Sequence, residues 1–426
     1  MMNIYDEFQW RGMLYEATPE LREVLANEKL TAYIGFDPSA ASLHVGNLLP
    51  VMGLARLQRF GHTPMAIAGS GTGLIGDPSG KTKERQLLTH QQVKRNLEGI
   101  KEQLRPLLDF DSKRNPARIV NNAEWLGRIT LMRFLRDVGK HFTVNYLMSK
   151  EAVYRRFETV DGISFTEFSY PLLQAFDYLT LYERYGCRLQ MGGSDQWGNI
   201  LAGIDLIRRL YNLKVHGLVF PLVTTSSGFK FGKTEAGAVW LDPNLTSPYR
   251  FYQFWLNTDD RDVITYLKFF TWLDHKHISE LEESVATEAH TRNAQKMLAV
   301  KVTSMVHGST ALHKAERATA VLFGGEIRGL SVDEVLDIFA DVPSTRIQRS
   351  ELGDNRFTLA DAVARSGLVE SKGSAKQVIQ SGGIYLNNRR VTNPRHPVTA
   401  ADWIGRQVLV LRKGARHYHL IKIVDD

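Results

Sequence analysis

The sequence has few of the features that mark secreted or membrane proteins. Its 426 residues contain one cysteine, Cys187, which excludes an intrachain disulfide and a cysteine-based metal site. No apolar run approaches the roughly 18 residues that cross a bilayer. The acidic start MMNIYDEFQWRG lacks the basic and apolar regions of a signal peptide. We therefore expect a chain that works in a reducing cytoplasm and outside the membrane.

The composition is otherwise that of a globular protein, and the length suggests about three domains. The net charge of +7 is uneven. From residue 351 to the end, 12 Lys and Arg stand against 7 Asp and Glu, a surplus of 5. A basic C-terminal segment suggests a polyanionic partner, most simply nucleic acid. A soluble basic surface would have the same charge, and charge alone does not choose between them.

The chain is organised around residues 32–47. Residues 32–36 predict a buried strand, which a turn ends because the residue before Pro38 avoids helical angles. A helix follows, and Ser39 or Ser42 is predicted to cap it. A strand, a tight turn and a helix N-terminus together favour an anion site.

Three residues at this helix start suit a ligand. His44 offers an imidazole, Gly46 admits a ligand close to the backbone, and Asn47 offers an amide. A capped, solvated corner is the alternative interpretation. A second buried strand, residues 63–68, follows the helix, and this alternation predicts a parallel sheet covered by helices.

Residues 69–82 nearly match two phosphate-binding motifs. A dinucleotide motif would open a helix directly, but Asp77 and Pro78 interrupt it, and a phosphate loop would need one more residue. What remains is a glycine-lined wall with the Asp77 carboxylate and a basic cluster of Lys81, Lys83 and Arg85. A plain surface loop explains the pattern equally well.

The segment 166–179 predicts a helix with a polar stripe. Tyr170, Gln174 and Asp177 fall at i, i+4 and i+7 and therefore share one face, and Pro171 fits the first helical position. A solvated face usually contains Lys or Arg, and this one has none. A pocket wall is therefore favoured over a solvated face.

Two later segments add further polar groups. A predicted strand, residues 187–191, runs into Gly192-Gly-Ser-Asp-Gln-Trp-Gly-Asn199, which places Asp195 and Gln196 at the carboxyl end of a strand, where α/β sheets bind ligands. Lys230 and Lys233 lie in a glycine-containing loop and could bring positive charge to a phosphate chain. Lysines in loops are common, so this pattern alone predicts little.

The C-terminal third changes character. Helical periodicity covers residues 247–343, a polar stretch at 344–355 predicts a linker, and residues 357–423 predict a compact unit of helices and strands. Its helices carry Arg365, Lys372 and Lys376, and Asn387-Asn388 predicts a hairpin turn.

Together, three segments resemble the signatures of class I aminoacyl-tRNA synthetases, specifically the bacterial tyrosyl enzymes. They are His-Val-Gly-Asn at 44–47, Gly-Gly-Ser-Asp-Gln-Trp-Gly-Asn at 192–199 and Lys-Phe-Gly-Lys-Thr at 230–234. Gly-Asp-Pro-Ser-Gly-Lys at 76–81 and the Ser-Tyr-x-x-x-Gln-x-x-Asp helix agree. The chain departs at Asn47, where the family more often has His, and in the inner residues of the lysine signature, Lys-Met-Ser-Lys-Ser in the wider class.

The resemblance implies an architecture and an activity. The expected fold is α/β: a Rossmann-like parallel-sheet catalytic domain (1–240), a helical anticodon-side domain (241–343), a linker (344–355) and a small α+β RNA-binding domain (356–426). The expected reaction joins tyrosine to ATP as tyrosyl-adenylate, releases pyrophosphate, and transfers tyrosine to tRNA(Tyr). Mg²⁺ with ATP, no protein-ligated metal, a homodimer and the cytoplasm are implied as well.

The resemblance also implies roles for individual residues. Catalysis would rest on the first and third signatures, and the polar helix would bind the amino acid. The implied catalytic residues are His44, Asn47, Lys230 and Lys233. Those implied for tyrosine are Tyr33, Asp77, Tyr170, Gln174, Asp177 and Gln196. Those implied for ATP are Gly35, Asp37, His44, Gly46, Asn47, Gly193, Asp195, Lys230, Lys233 and Thr234.

Three alternatives remain at this point. Another nucleotidyltransferase could share the His-x-Gly corner, but would not need the basic tail or the paired lysines. A non-catalytic RNA-binding protein would be expected to lose His44 or the lysines. A tryptophanyl enzyme is nearer, although the pair Tyr33 and Asp177 suits a phenol.

Overall fold

The computed structural model describes residues 3–77, 79, 88–150, 153–154, 162–228, 231–234, 237–322, 324–340, 342–352, 357–414 and 417–424. The chain forms two compact units. The first comprises Met1–Thr246 and Asn257–Val306, and the second comprises Ser247–Leu256 and His307–Asp426. Within the described ranges, no helix combines the length and apolarity that a membrane crossing requires.

The first unit is built on a six-stranded sheet. Strands in its middle are buried almost continuously rather than at alternate residues, as expected for parallel strands covered on both faces. The strands are β1 (Glu16–Ala17), β2 (Thr31–Phe36), β3 (Thr63–Ala68), β4 (Arg118–Asn121), β5 (Cys187–Gly193) and β6 (His216–Phe220).

The order of the strands creates a switch point. The sheet runs β1-β6-β5-β2-β3-β4, and every neighbouring pair is parallel except β1 with β6. The chain leaves β2 in one direction, to β3 and β4, and later returns to β5 on the other side of β2. Ligands of open α/β sheets bind where the order reverses, at the carboxyl ends of the strands. The predicted parallel α/β sheet is confirmed.

Helices cover this sheet and continue into the helical part of the unit. A two-stranded ribbon, β7 (Lys233–Thr234) with β8 (Gly237–Ala238), follows the sheet. The helices are α1 (Ile4–Trp10), α2 (Leu21–Asn27), α3 (Val45–Arg59), α4 (His90–Leu104), α5 (Ala123–Leu126), α6 (Leu131–Asp137), α7 (Val144–Met148), α8 (Phe165–Tyr185), α9 (Trp197–Tyr211), α11 (Asp260–Phe270), α12 (His275–Glu288) and the start of α13 (Asn293–Leu322).

The second unit combines helices with a smaller sheet. Helix α13 is broken at Gly308, whose φ is +82°, and its later part belongs here with α10 (Pro248–Leu256), α14 (Val332–Ile338), α15 (Leu359–Arg365) and α16 (Lys372–Gln380). The strands are β9 (Ser344–Gln348), β10 (Ile384–Leu386), β11 (Arg389–Arg390), β12 (Val408–Lys413) and β13 (His417–Val424), in the order β11-β10-β12-β13-β9. Asn387 and Asn388 have positive φ in the hairpin turn, as predicted.

The C-terminal boundaries differ from those read off the sequence. The linker predicted over 344–355 is partly strand β9, which pairs in parallel with β13 from Leu420 to Val424. A polar edge strand with one buried residue, Ile347, gives little periodic signal. The region 307–340 also shares a core with the C-terminal sheet, since Val335 and Phe339 lie in one buried cluster with Val410.

Candidate active site

Several sequence-predicted residues lie at the carboxyl ends of β2, β3 and β5, together with residues that were not predicted. The turn after β2 carries Asp37, and the loop after β3 carries Thr72 and Asp77. Asn122 follows β4, and Asp195 follows β5. Helix α8 crosses this edge with its polar stripe. The switch point of the sheet is therefore lined by side chains from five chain segments.

His44 itself caps helix α3, in place of the predicted Ser39 or Ser42. Its Nδ1 accepts from the Gly46 amide at 3.0 Å, and the Asn47 Oδ1 accepts from the His44 amide at 3.1 Å. Because Nδ1 accepts, the proton of the neutral imidazole lies on Nε2. His44 and Asn47 thus fix each other in the cap, and both lie at a helix N-terminus, where anions are favoured.

Three glycines at this edge have different surroundings. A Cβ at Gly46 would lie 2.7 Å from the His44 ring, so the histidine cap requires glycine there. At Gly35 nothing lies within 4 Å of the Cβ position, and the residue is exposed although it sits in the central strand. Gly35 shares a sheet face with Tyr33, since side chains alternate along a strand. A ligand can therefore approach the backbone at Gly35. At Gly193 a Cβ would meet the Asp195 carboxylate.

Asp177 is a buried carboxylate held by two donors. Its Oδ1 accepts from the Trp125 Nε1 at 2.7 Å, and its Oδ2 accepts from the Asn122 Nδ2 at 3.0 Å. Burial raises the pKa of Asp177 to about 7, although both hydrogen bonds favour the ionised form. The carboxyl group can therefore ionise near neutral pH in a dry environment and accept one more hydrogen bond.

The Tyr33 hydroxyl is fully buried, and within the described residues it has no hydrogen-bond partner. Burial raises the pKa of Tyr33, and the charge of Asp177 raises it further. The ring packs edge-on against Tyr178 at 5.3 Å. A buried hydroxyl without a partner is costly, so this atom can gain from a ligand hydroxyl.

Asp37 connects the turn after β2 to helix α8. Its Oδ2 accepts from the Tyr170 hydroxyl at 2.8 Å, and its Oδ1 accepts from the Thr72 Oγ1 at 2.6 Å. Burial raises the pKa of Tyr170, and the neighbouring carboxylates of Asp37 and Asp77 raise it further. Tyr170 therefore stays a neutral phenol that donates to Asp37.

A second cluster of amides surrounds Asp77. Its Oδ2 accepts from the Gln196 Nε2 at 2.7 Å, and its Oδ1 accepts from the Ser79 amide at 2.9 Å. The Asn199 Nδ2 donates to the Gln174 Oε1 at 3.0 Å and to the Gln196 Oε1 at 3.3 Å. Asp77, Gln174 and Gln196 thus belong to one hydrogen-bond network, which also includes Asn199.

The lysine segment, residues 231–234, lies beside the histidine cap. A Cβ at Gly232 would be 2.7 Å from Val45 Cγ2. Val239 connects the two segments, because its amide donates to the Gly232 carbonyl and its carbonyl accepts from the Val45 amide. Lys233 follows directly and is exposed in β7. Predicted residues outside the described ones are Lys230, the side chain of Thr234, and the cluster Lys81, Lys83 and Arg85.

Four supporting residues escaped the sequence interpretation. Asn122 links Asp177 to the glycine-rich loop, because its Nδ2 also reaches Thr72 Oγ1 at 2.9 Å and its Oδ1 accepts from the Gly71 amide. Trp125 supplies the indole donor described above. The pair Asn121-Asn122 at the end of β4, at the same edge as the other groups, was the available signal. The four residues are Thr72, Asn122, Trp125 and Asn199.

The arrangement has two chemically different ends. The inner end combines buried carboxylates and a phenol, which suit an ammonium group and a hydroxyl. The outer end combines a helix N-terminus, an imidazole N–H and an exposed ammonium group, which suit phosphate oxygens.

Comparisons with known proteins point the same way. The family described as tRNA synthetases class I (W and Y) matches residues 25–324, and the tyrosine–tRNA ligase SYY-like C-terminal domain matches residues 334–421. The sequence is 57% identical to the tyrosine–tRNA ligase of Roseiflexus castenholzii over 424 residues, covering 100% of each chain. It is 50% identical to that of Geobacillus kaustophilus over 424 residues, 99% of this chain and 100% of the relative.

A solved structure agrees. A C-terminally truncated mitochondrial tyrosyl-tRNA synthetase from Aspergillus nidulans matches with a TM-score of 0.69 and 30% sequence identity. The match covers 76% of this chain and 95% of that chain.

Proposed function

The chain belongs to the tyrosine–tRNA ligases of the class I synthetases, and we propose that its switch-point cleft is where tyrosine and ATP react. The enzyme activates L-tyrosine with ATP and transfers it to tRNA(Tyr). The observation that carries the placement is the inner end of the cleft. There the buried Asp177 carboxylate and the Tyr33 hydroxyl are poised for one hydroxyl group.

These two groups would provide the selection for tyrosine. The substrate phenol donates to Asp177 and accepts from Tyr33, so both buried groups are satisfied. Phenylalanine would leave both without this partner, and a site built to hydrogen-bond a hydroxyl rejects such an analogue strongly, a rule for which tyrosyl-tRNA synthetases are themselves the standard example. Tryptophan presents an N–H donor in a larger ring system, which cannot accept from Tyr33.

The remaining polar groups would hold the backbone of the amino acid. The carboxylates of Asp77 and Asp37, the latter bonded to Tyr170, attract the ammonium group, and Gln174 adds an amide oxygen nearby. Gln196 offers its amide to the substrate carboxylate. Binding in this orientation points the carboxylate out of the inner end toward the triphosphate.

The first chemical step needs positioning and charge stabilisation. A carboxylate oxygen of tyrosine attacks the α-phosphorus of ATP, the bond to the bridging oxygen breaks, and pyrophosphate leaves with the electron pair. His44 and Asn47 donate to phosphate or ribose oxygens, and Lys230 and Lys233 balance the charge on the leaving pyrophosphate. Mg²⁺ would arrive on the ATP phosphates, where it keeps much of its water shell.

Further contacts to ATP would come from the strand ends. Gly35 leaves the backbone open to the nucleotide, Gly46 would lie beside it at the start of α3, and the Gly193 turn presents Asp195. Thr234 continues the lysine segment. In the second step, a hydroxyl of the terminal tRNA ribose attacks the tyrosyl carbonyl and AMP leaves, so the enzyme forms no covalent bond to the substrate.

Two partners complete the proposal. The tRNA would contact the basic C-terminal helices, where Lys372 and Lys376 are exposed. A second copy of the chain would cover large apolar side chains that the described surface exposes: Leu131 (69% exposed), Met132 (76%), Val144 (64%) and Phe165 (75%). An enzyme of translation would work in the cytoplasm.

The direct test is ATP–pyrophosphate exchange with tyrosine, phenylalanine and tryptophan in turn, followed by charging of tRNA(Tyr). We expect exchange with tyrosine and none above background with tryptophan. Exchange that prefers tryptophan, or exchange that needs no amino acid, would overturn the proposal.

A further inference from the structure

Helix α11 (Asp260–Phe270) carries a stripe of three side chains toward the lysine segment. Asp262, Tyr266 and Phe270 lie at i, i+4 and i+8 and therefore on one face. Asp262 and Tyr266 contact the chain before residue 229, and Tyr266 and Phe270 contact Phe231, which follows residue 230. We call these three residues the anchor stripe. The proposed function gives none of them a role.

The first two members hold the chain that leads into the loop. The Asp262 carboxylate accepts from the Ser226 amide at 3.0 and 3.1 Å and from the Ser226 hydroxyl at 3.1 Å. The Tyr266 hydroxyl donates to the Thr224 carbonyl at 3.0 Å. The start of the loop is therefore fixed by three hydrogen bonds to a carboxylate and one from a phenol.

The aromatic members hold the chain that leaves the loop. Phe231 is 4% exposed, and its ring stacks on Phe270 at 5.6 Å with an interplanar angle of 6°. The Tyr266 ring meets it at 4.9 Å and 60°. Aromatic pairs at these distances prefer offset-stacked and edge-on geometry, so the Phe231 ring has one defined place.

The opposite side of the same segment is fixed by the histidine cap. Gly232 has φ +77°, and its Cα faces Val45 too closely for any side chain. The Phe231 carbonyl lies beside Gly46, 3.9 Å from its Cβ position. Residues 231 and 232 are thus held between the anchor stripe and the start of α3, and Lys233 is the next residue.

We propose that Phe231 is a positioning residue for Lys233, and that the anchor stripe fixes where the Lys233 ammonium group meets the pyrophosphate. The aromatic ring sets the backbone position from which Lys233 extends. Removing the ring would let residues 231–233 shift, so the positive charge would sit off the leaving group. This inference rests on the proposed function, since it uses pyrophosphate as the partner of Lys233.

The test compares Phe231→Ala and Phe231→Leu with wild type in full-length protein. Single-turnover formation of tyrosyl-adenylate gives the rate constant, and equilibrium dialysis with tyrosine gives its dissociation constant. We expect Phe231→Ala to lower the rate constant about tenfold or more, with tyrosine affinity unchanged within about twofold. Phe231→Leu, which refills much of the space, should recover most of the rate.

A double-mutant cycle with Lys233→Ala tests the route of the effect. If Phe231 acts through Lys233, then Phe231→Ala changes the rate little in the Lys233→Ala background. Multiplicative effects of the two changes would overturn the inference, as would equal losses of rate and of tyrosine affinity.

Phe269→Ala is the matched control. Phe269 lies on the same helix and is equally buried, and its ring meets the Phe270 ring edge-on at 5.9 Å. None of the ring contacts among the described residues joins it to Phe231, so Phe269→Ala controls for lost packing around the stripe. It should lower thermal stability and leave the rate constant per folded molecule unchanged. If wild type shows no tyrosine-dependent exchange, the proposed function fails; if wild type exchanges and Phe231→Ala matches it, only this inference fails.

Discussion

Replacing Tyr33 by phenylalanine separates ligand recognition from stability. The Tyr33 hydroxyl is buried and has no partner among the described residues, and a hydroxyl buried in this way costs about 1–3 kcal/mol. Tyr33→Phe removes that cost without leaving a cavity. We therefore expect the free energy of unfolding to stay the same or rise by up to about that amount, and the melting temperature to rise by about 1–2 °C for each kcal/mol.

Tyrosine binding should change in the opposite direction. A neutral hydrogen bond contributes about 0.5–1.5 kcal/mol, so kcat/KM for tyrosine should fall by roughly 2- to 12-fold. Phenylalanine makes no bond to this hydroxyl, so its activation should stay constant or improve. The assay is ATP–pyrophosphate exchange with both amino acids, together with thermal unfolding of the same samples.

Tyr178→Phe provides the control. The Tyr178 hydroxyl is equally buried and packs against the same ring, but it donates to the His216 carbonyl at 2.8 Å. Without this hydroxyl, the buried His216 carbonyl loses a hydrogen bond. Tyr178→Phe should therefore destabilise the protein by about 1 kcal/mol and leave the preference for tyrosine over phenylalanine intact. The reasoning fails if Tyr33→Phe destabilises the protein as Tyr178→Phe does, or if it slows both substrates equally.

Five further outcomes follow from the same geometry. Because the raised pKa of Asp177 is about 7, kcat/KM for tyrosine should rise with pH through about 7 as the carboxylate forms; a flat profile from about pH 5 to 9 would be inconsistent with a titrating carboxylate there. The protonated carboxyl group of Asp177 stabilises the folded protein most fully below pH 3.8, its ordinary pKa, and this contribution is lost as the pH rises through about 7. Asp177→Asn should therefore flatten the pH dependence of the melting temperature. Lys233→Ala should lower the adenylate rate about 10- to 100-fold and leave the melting temperature unchanged, since the side chain is exposed; a normal rate would remove Lys233 from the site. Lys372→Glu with Lys376→Glu should weaken tRNA binding at low salt and make it less salt-dependent while exchange stays normal, and equal loss of both activities would contradict a role in tRNA binding. Met132→Asp should convert a dimer into a monomer in sedimentation experiments, whereas an unchanged mass would exclude this surface.

The sheet was predictable because its strands are short apolar runs with sharp ends. The strand at 63–68 and the segment around Cys187 lie where the sequence places them, and the positive φ of Asn387 and Asn388 follows from their turn preference. Local residue preferences were sufficient to predict these strands and this turn, because the tertiary structure keeps the conformations that the residues prefer.

Helix ends were less predictable where function or packing overrides local preference. Helix α8 begins at Phe165, capped by Ser164, so Pro171 lies inside the helix and not at its first position. The cap of α3 is His44, whose Nδ1 accepts from the Gly46 amide, although serine is the residue that capping preference favours. A histidine ring nitrogen can thus take the capping role that preference assigns to a serine hydroxyl.

The residues that hold the site side chains in place could not be predicted, because they come from distant parts of the chain and no pattern in a single sequence shows that they meet. Asp177 was identified from the polar stripe, yet its partners Asn122 and Trp125 come from a segment about 50 residues earlier. Phe231 likewise meets Phe270 from a distant part of the chain. The i, i+4, i+8 spacing from Asp262 to Phe270 was visible, but a helical stripe alone does not show what it faces.

The central claim is that one cleft holds tyrosine at its inner end and the phosphates of ATP at its outer end. A crystal structure with a non-hydrolysable tyrosyl-adenylate analogue tests this most directly. The phenol oxygen should lie within hydrogen-bond distance of both the Tyr33 hydroxyl and the Asp177 carboxylate, with the phosphate-like group beside His44 and Gly35. An analogue bound with its phenol away from Asp177, or with its phosphate-like group away from the start of helix α3, would contradict the account.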